Sequence, residues 1–124
     1  MNKVYEKPTI TIDAGLAEGI YAASGAGTVS VTDAGVWDRW DGGGKHGFTV
    51  SWSGIDGTAV VVISFNDTID DAAAEGGASA QASGNTVTLT FNSSAPNPIY
   101  LGCHLNHGTS IDSLQATGHT LSVQ

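Results

Sequence analysis

The chain has 124 residues, with 12 acids against four bases and a net charge of -8. That length suits one domain, and the charge argues against nucleic acid or an anionic membrane surface as partner, because both call for a basic face. Charged residues make up 13% and hydrophobic residues 40%, with 17 glycines, a composition that favours short strands and tight turns over long helices.

Residues 1–8 read as a polar N-terminal tail or arm, and residues 9–124 as a single domain. Thr9-Ile10-Thr11-Ile12 alternates and predicts a first strand. A turn follows near residues 13–15, then a second short strand over residues 18–22. Residues 28–32 alternate again, with Val29 and Val31 on one face, and Asp33-Ala34-Gly35 is a turn signal.

Residues 36–41 allow two readings. As a strand they put Trp37 and Trp40 on opposite faces, whereas a helical turn brings both to one side. Gly42 to Gly44 predict a flexible hairpin connection. Phe48, Val50 and Trp52 then share one face of the next strand, which Asp56-Gly57 ends.

Residues 58–65, TAVVVISF, are apolar on both faces and predict a central strand buried on its two sides. Residues 66–77 have helical flavour, with Asp70 capping a turn of alanines that Gly76-Gly77 ends. Residues 78–82 predict a weak strand. Thr86 to Phe91 predict a strand with Val87, Leu89 and Phe91 inward, followed by a loop holding Pro96 and Pro98. Ile99, Leu101, Cys103 and Leu105 share one face of a strong strand. Residues 108–118 read as irregular, and residues 119–124 close the sheet with Leu121 and Val123 inward. Eight to ten short strands with turns between them give the fold class: an all-β, antiparallel β-sandwich, jelly-roll or Ig-like.

Cys103 is the one cysteine, so no intrachain disulfide forms. The N-terminal residues lack the apolar run of a signal peptide, and no stretch is apolar enough to span a bilayer. The expectation is a soluble protein with no membrane insertion. Its compartment is unknown; a binding role favours an extracellular or particle-surface location.

Residues 36–52, VWDRWDGGGKHGFTVSW, hold all three tryptophans and the sole arginine. Aromatic faces stack on the C–H faces of sugar rings, and a few placed polar groups beside them give a binding site. The candidate ligand-binding residues are Trp37, Asp38, Arg39, Trp40, Asp41, Lys45 and Tyr100, with Tyr21 a further aromatic. Trp52 belongs with Phe48 and Val50 in the core, and burial competes with exposure for Trp37 and Trp40. In its β-pattern, its size and its tryptophans beside a Gly-rich loop, the chain resembles bacterial carbohydrate-binding modules. That resemblance implies a non-catalytic glycan-binding role with Trp37 and Trp40 as the stacking platform.

A second cluster is similar to cupredoxins, which hold copper with one upstream histidine and a late Cys and His. His46, Cys103 and His107 match that order, and a thiolate with two imidazoles suits copper. No methionine follows His107, which leaves Gln115 as a badly spaced axial ligand. The competing reading is a buried free cysteine and ordinary histidines. Calcium is a further possible cofactor, through Asp67, Asp70 and Asp71 or through Asp33, Asp38 and Asp41; neither run has EF-hand spacing.

No nucleophile elbow, phosphate loop or HExxH motif is present, so no enzyme is expected and no catalytic residue is assigned. The partner is a glycan or another protein subunit. In the second case the chain is a structural protein of a surface layer, filament or phage particle, with Trp37 and Trp40 as contact anchors.

Overall fold

A computed structural model describes residues 11–13, 27–107 and 111–124. The expected arm, the strand over residues 18–22 and Tyr21 lie outside the described residues. The fold is all-β. Among the described residues nine strands run β1 (Thr11–Asp13), β2 (Thr28–Trp40), β3 (Gly43–Ser53), β4 (Thr58–Phe65), β5 (Asp71–Ala74), β6 (Ser79–Ser83), β7 (Thr86–Asn92), β8 (Ile99–Leu105) and β9 (Ala116–Val123), with a 3-10 helix at Ile111–Ser113. They form two antiparallel sheets, ordered β1-β9-β4-β7-β6 and β2-β3-β8-β5, consistent with a β-sandwich.

Strict alternation builds the core. Val29 of β2, Phe48 and Val50 of β3, and Ile99, Leu101, Cys103 and Leu105 of β8 point inward from one sheet. Ala59, Val61, Ile63 and Phe65 of β4, Val87, Leu89 and Phe91 of β7, and Leu121 of β9 meet them from the other. Rings bridge the two layers: Phe48 meets Phe65 edge-on at 5.2 Å between centroids, and Trp52 packs on Phe91 at 4.4 Å. Trp52 is therefore part of the wall, as its alternation with Phe48 and Val50 implies.

Several expectations are corrected. β4 is central in its sheet, but only one of its faces is fully buried. Val60 and Val62 stay half-exposed on the outer side, beside Thr88 and Thr90 of β7 and Thr120 and Ser122 of β9. The alanines of residues 71–74 form an edge strand on β8 and not a helical turn. Four residues are too few to repay helix nucleation, whereas Ala72 gains a buried place opposite Cys103. Of the stretch expected to be irregular, the described residues 111–118 hold the 3-10 helix and the first residues of β9, which begins at Ala116.

β2 departs most from expectation. Asp33-Ala34-Gly35 is not a turn: the strand runs through it, and the ladder to β3 slips once between Asp33 and Gly35 and again between Val36 and Asp38. Each slip is a β-bulge, one extra residue opposite the partner strand. The Asp33 carboxylate fastens the first by accepting the Gly35 N–H at 2.7 Å. The hairpin is also tighter than the triple glycine suggests. Asp41-Gly42 make the turn, with Gly42 at φ 87°, and Gly43 and Gly44 already belong to β3.

Candidate functional site

The second bulge decides where the tryptophans go. Val36 pairs with His46 and points inward, while Asp38 pairs with Lys45 on the outer face. Trp37 is the extra residue between them. An unbroken strand places residues three apart on opposite faces; the inserted residue cancels that, so Trp37 and Trp40 both lie on the outer face of the four-stranded sheet.

Glycines make the floor under Trp37. Gly47 of β3 and Gly102 of β8 are register partners on the outer face. A Cβ on Gly47 would lie 1.9 Å from Cε2 and 2.2 Å from Cζ2 of Trp37, and one on Gly102 would lie 3.3 Å from Cζ3. The indole therefore lies across the bare backbone of two strands; a side chain at Gly47 would lift it, while one at Gly102 would only press on its edge and on Lys45. Lys45 runs alongside, its Nζ 6.0 Å from the ring centroid, a spacing suited to cation–π attraction. Tyr100 stands on the far side at 6.4 Å, tilted by 49°.

Trp40 closes the other end. Its Nε1 donates to Asn106 Oδ1 at 3.2 Å, and its ring meets His104 at 5.8 Å in an edge-on arrangement. Trp37, Trp40 and Tyr100 keep 40%, 39% and 45% of their exposure, and they are the large hydrophobic side chains exposed among the described residues. All three share this face. An apolar hollow of about 200 Å³ adjoins Tyr100, lined by Glu75, Gly76, Pro96, Pro98 and Ile99.

The remaining candidates divide. Lys45 belongs to the platform. Asp38 sits on this face by register, with Oδ1 accepting the Arg39 N–H at 2.9 Å. Asp41 is exposed in the hairpin turn. Arg39 is turned elsewhere: its register partner Gly44 faces inward, and its guanidinium holds both oxygens of Asp112 on the 3-10 helix at 2.7 Å. Sequence reasoning missed His104 and the glycine floor, and it placed Asp71 in a calcium set and not on this face. His104 was findable, since four residues from Tyr100 on one strand means the same face. Its Nδ1 lies 3.7 Å from Asp71 Oδ2, and its Nε2 is buried with no hydrogen-bond partner.

The copper set does not assemble. His46 and Cys103 are inward-facing register partners, but β8 ends at Leu105, so alternation does not carry His107 to the same side. His107 instead spans two carboxylates, Nδ1 to Asp70 Oδ2 at 2.7 Å and Nε2 to Asp67 Oδ1 at 3.2 Å. His46 is spent too, with Nδ1 on the Ile111 carbonyl and Nε2 on Asp33 Oδ1, both at 2.8 Å. Burial pushes the Cys103 thiol up to about 12, which disfavours the thiolate form.

The calcium sets disperse likewise. Asp67 and Asp70 serve His107, Asp71 faces His104, Asp33 serves His46, and Asp38 and Asp41 sit apart from it. Among the described residues no group of three His, Cys, Asp or Glu side chains converges on a metal position. No described helix is long and apolar enough to cross a membrane.

Two carboxylates are tuned by these contacts. Burial raises the pKa of Asp33, but the hydrogen bonds from His46 and the Gly35 N–H outweigh it, and the net shift is downward. The Asn106 N–H and His107 hold Asp70 below the usual carboxylate range. Asp70 and Asp67 in turn raise the pKa of His107. Compared with protein-family models, with curated proteins and with solved structures, the chain finds no match.

Proposed function

We propose that the protein is a non-catalytic binding module that takes a neutral glycan on the outer face of the β2-β3-β8-β5 sheet. The observation that carries this is the gathering of Trp37, Trp40 and Tyr100 on one open face over a floor of Gly47 and Gly102. The floor has no side chains to wall a deep cleft, so the face offers stacking area with polar groups at its margin. Lys45, Asp38, Asp71 and Asn106 supply hydrogen bonds for hydroxyls. A net charge of -8 and two flanking carboxylates disfavour an anionic glycan. Such a module works at a glycan-bearing surface, outside a cell or on a particle.

The test is tryptophan fluorescence and affinity electrophoresis against a panel of neutral polysaccharides, for the wild type and for Trp37→Ala and Tyr100→Ala. Loss of one stacking ring should weaken binding by about tenfold, the ratio that ~1.4 kcal/mol produces. A full panel with no response in the wild type would sink the proposal.

The same face favours a second reading, in which the rings anchor another subunit of a structural assembly, since aromatics dominate such contacts. Size-exclusion chromatography separates the two. A monomer that Trp40→Ala leaves unchanged fits the glycan reading, whereas an oligomer that Trp40→Ala dissociates fits the assembly.

A further inference from the structure

Tyr100 has Trp37 on one side, reached across β3, and on its β5 side the apolar hollow of about 200 Å³. Two loops from separate stretches of the chain build that hollow. Glu75 follows β5 directly, and its N–H donates to the Tyr100 carbonyl oxygen at 3.1 Å. Ala74 pairs with Leu101, which faces the core, so Glu75 and Tyr100, the next pair along, both face outward. Gly76 then turns the chain at φ 73° and brings it against the loop before β8, where a Cβ on Gly76 would lie 3.0 Å from Pro96 Cδ. Pro98 and the buried Ile99 complete the lining.

The chemistry of this lining is selective. Two prolines, an isoleucine and a tyrosine ring favour an apolar occupant. Glu75 breaks that character. It is exposed, and whereas Asp71 faces His104, Glu75 has no ion-pair partner among the described residues. A carboxylate only accepts hydrogen bonds, so the occupant carries an N–H or O–H donor beside an apolar group. The volume lies below the about 300–1,000 Å³ of a pocket that encloses a whole small ligand, so the hollow takes a substituent of the sugar and not a further ring. We infer that it is a subsite for the acetamido group of an N-acetylated amino sugar whose ring stacks on Tyr100. This rests on the glycan reading and narrows it to one class of neutral sugar.

A pyranose lying flat on an aromatic ring points its equatorial substituents past the edge of that ring, and one directed toward β5 reaches the hollow. The trans amide of an acetamido group sets its N–H and its carbonyl on opposite sides. The N–H donates to Glu75 in a charge-assisted bond. The methyl, at the far end of the group, buries against the prolines and Ile99. The carbonyl turns to the open side, where water satisfies it. Other substituents meet only part of this. A hydroxyl donates to Glu75 but buries no carbon. The methyl of a 6-deoxy sugar buries carbon but gives Glu75 no donor. An ammonium has donors and no methyl.

The test uses methyl glycosides of single sugars, so that no linkage is presumed: N-acetylglucosamine and N-acetylgalactosamine, their 2-hydroxyl and 2-amino counterparts, and a 6-deoxyhexose. Heteronuclear NMR titration reads affinity, and saturation-transfer NMR reads which ligand protons touch the protein. The acetamido glycosides should bind about tenfold more tightly than the hydroxyl ones, with the strongest saturation on the acetyl methyl. Glu75→Ala, at an exposed position, should bring them down to the affinity of the hydroxyl glycosides, and Tyr100→Ala should weaken both sets. Equal affinity for acetamido and hydroxyl sugars, a preference for the amino or 6-deoxy sugar, an acetyl methyl without saturation, or a preference that survives Glu75→Ala would each overturn the subsite. If neutral polysaccharides bind the wild type but one of these results is found, the subsite alone falls. If no saccharide of either panel binds, the glycan reading falls and the subsite with it.

Discussion

Gly47→Ala tests how the platform is built. The substitution adds one methyl group to a strand position whose φ is not in the left-handed region, so the backbone accepts it. The added carbon would sit 1.9 Å from Trp37 Cε2; reaching an ordinary contact of about 3.5 Å requires the indole to lift by about 1.5 Å. Trp37 is 40% exposed, so of a side chain of about 250 Å² roughly 150 Å² is covered. At ~25 cal/mol/Å² that cover contributes at most about 4 kcal/mol. Lifting the ring off its floor forfeits on the order of half, ~2 kcal/mol, while replacing a strand glycine returns ~0.5–1 kcal/mol. The expected net cost is ~1–1.5 kcal/mol. In a Trp37→Ala background the clash is absent, so the same change should stabilise by ~0.5–1 kcal/mol. Urea unfolding followed by circular dichroism measures all four corners of the cycle. An equal cost of Gly47→Ala in both backgrounds would refute the argument that glycine is there for the indole. Gly102→Ala is the control: its methyl meets Lys45 Cδ and Trp37 Cζ3 at 3.3 Å, the lysine gives way, and stability should change by less than about 0.5 kcal/mol.

Cys103, buried and with its thiol raised to about 12, should resist a thiol reagent in the native protein and react stoichiometrically once denatured; rapid native labelling would contradict its position. The His107 clamp should give a pH-dependent melting temperature. The raised pKa of His107 means that its contribution is complete below the unfolded-state value and is lost as pH rises through the folded value. Asp70, depressed, contributes above its unfolded value and loses that as pH falls through the folded one. Relative to His107→Gln, the wild type should therefore gain most between the two; a difference flat in pH would dismiss the clamp. The Arg39–Asp112 pair, with side chains 61% and 56% exposed, should be worth less than about 0.5 kcal/mol and fade with salt, so Asp112→Ala should leave the urea midpoint nearly unchanged. Leu89→Ala, in the fully buried layer, should cost ~2–5 kcal/mol by the same assay.

What was legible in the sequence was whatever repeats with period two. The inward sets of β3, β7 and β8 follow from alternation alone, as does Trp52 beside Phe48 and Val50, whereas the apolar run of β4 hid which of its faces is the inner one. Tyr100 and the tryptophans were legible as costly aromatics among small polar residues. Illegible were the features that depend on neighbours distant in the chain. Asp33-Ala34-Gly35 has the composition of a turn, and only its pairing with β3 makes it a bulge. Gly47 and Gly102 lie 55 positions apart and become a floor only when β3 meets β8. The alanines of β5 favour a helix locally but are overruled by the vacant edge beside β8. His107 followed the alternation of β8 on paper, yet the strand had already ended.

The two bulges of β2 have a consequence for how this surface can change over generations. Along the strand, odd-numbered Val29 and Val31 face the core, then even-numbered Val36 does, so the parity of the chain is inverted within one element. Deleting Ala34, a small exposed residue, would remove the first inversion and send each later residue of β2 to the other face. Val29 and Val31 would be undisturbed. A loss of one codon would thus hide or dismantle the aromatic contribution of β2 as a whole, whereas a substitution such as Trp37→Ala removes a single ring. A one-residue deletion in a strand is thus a larger change than a substitution, because it moves every residue beyond it to the other face.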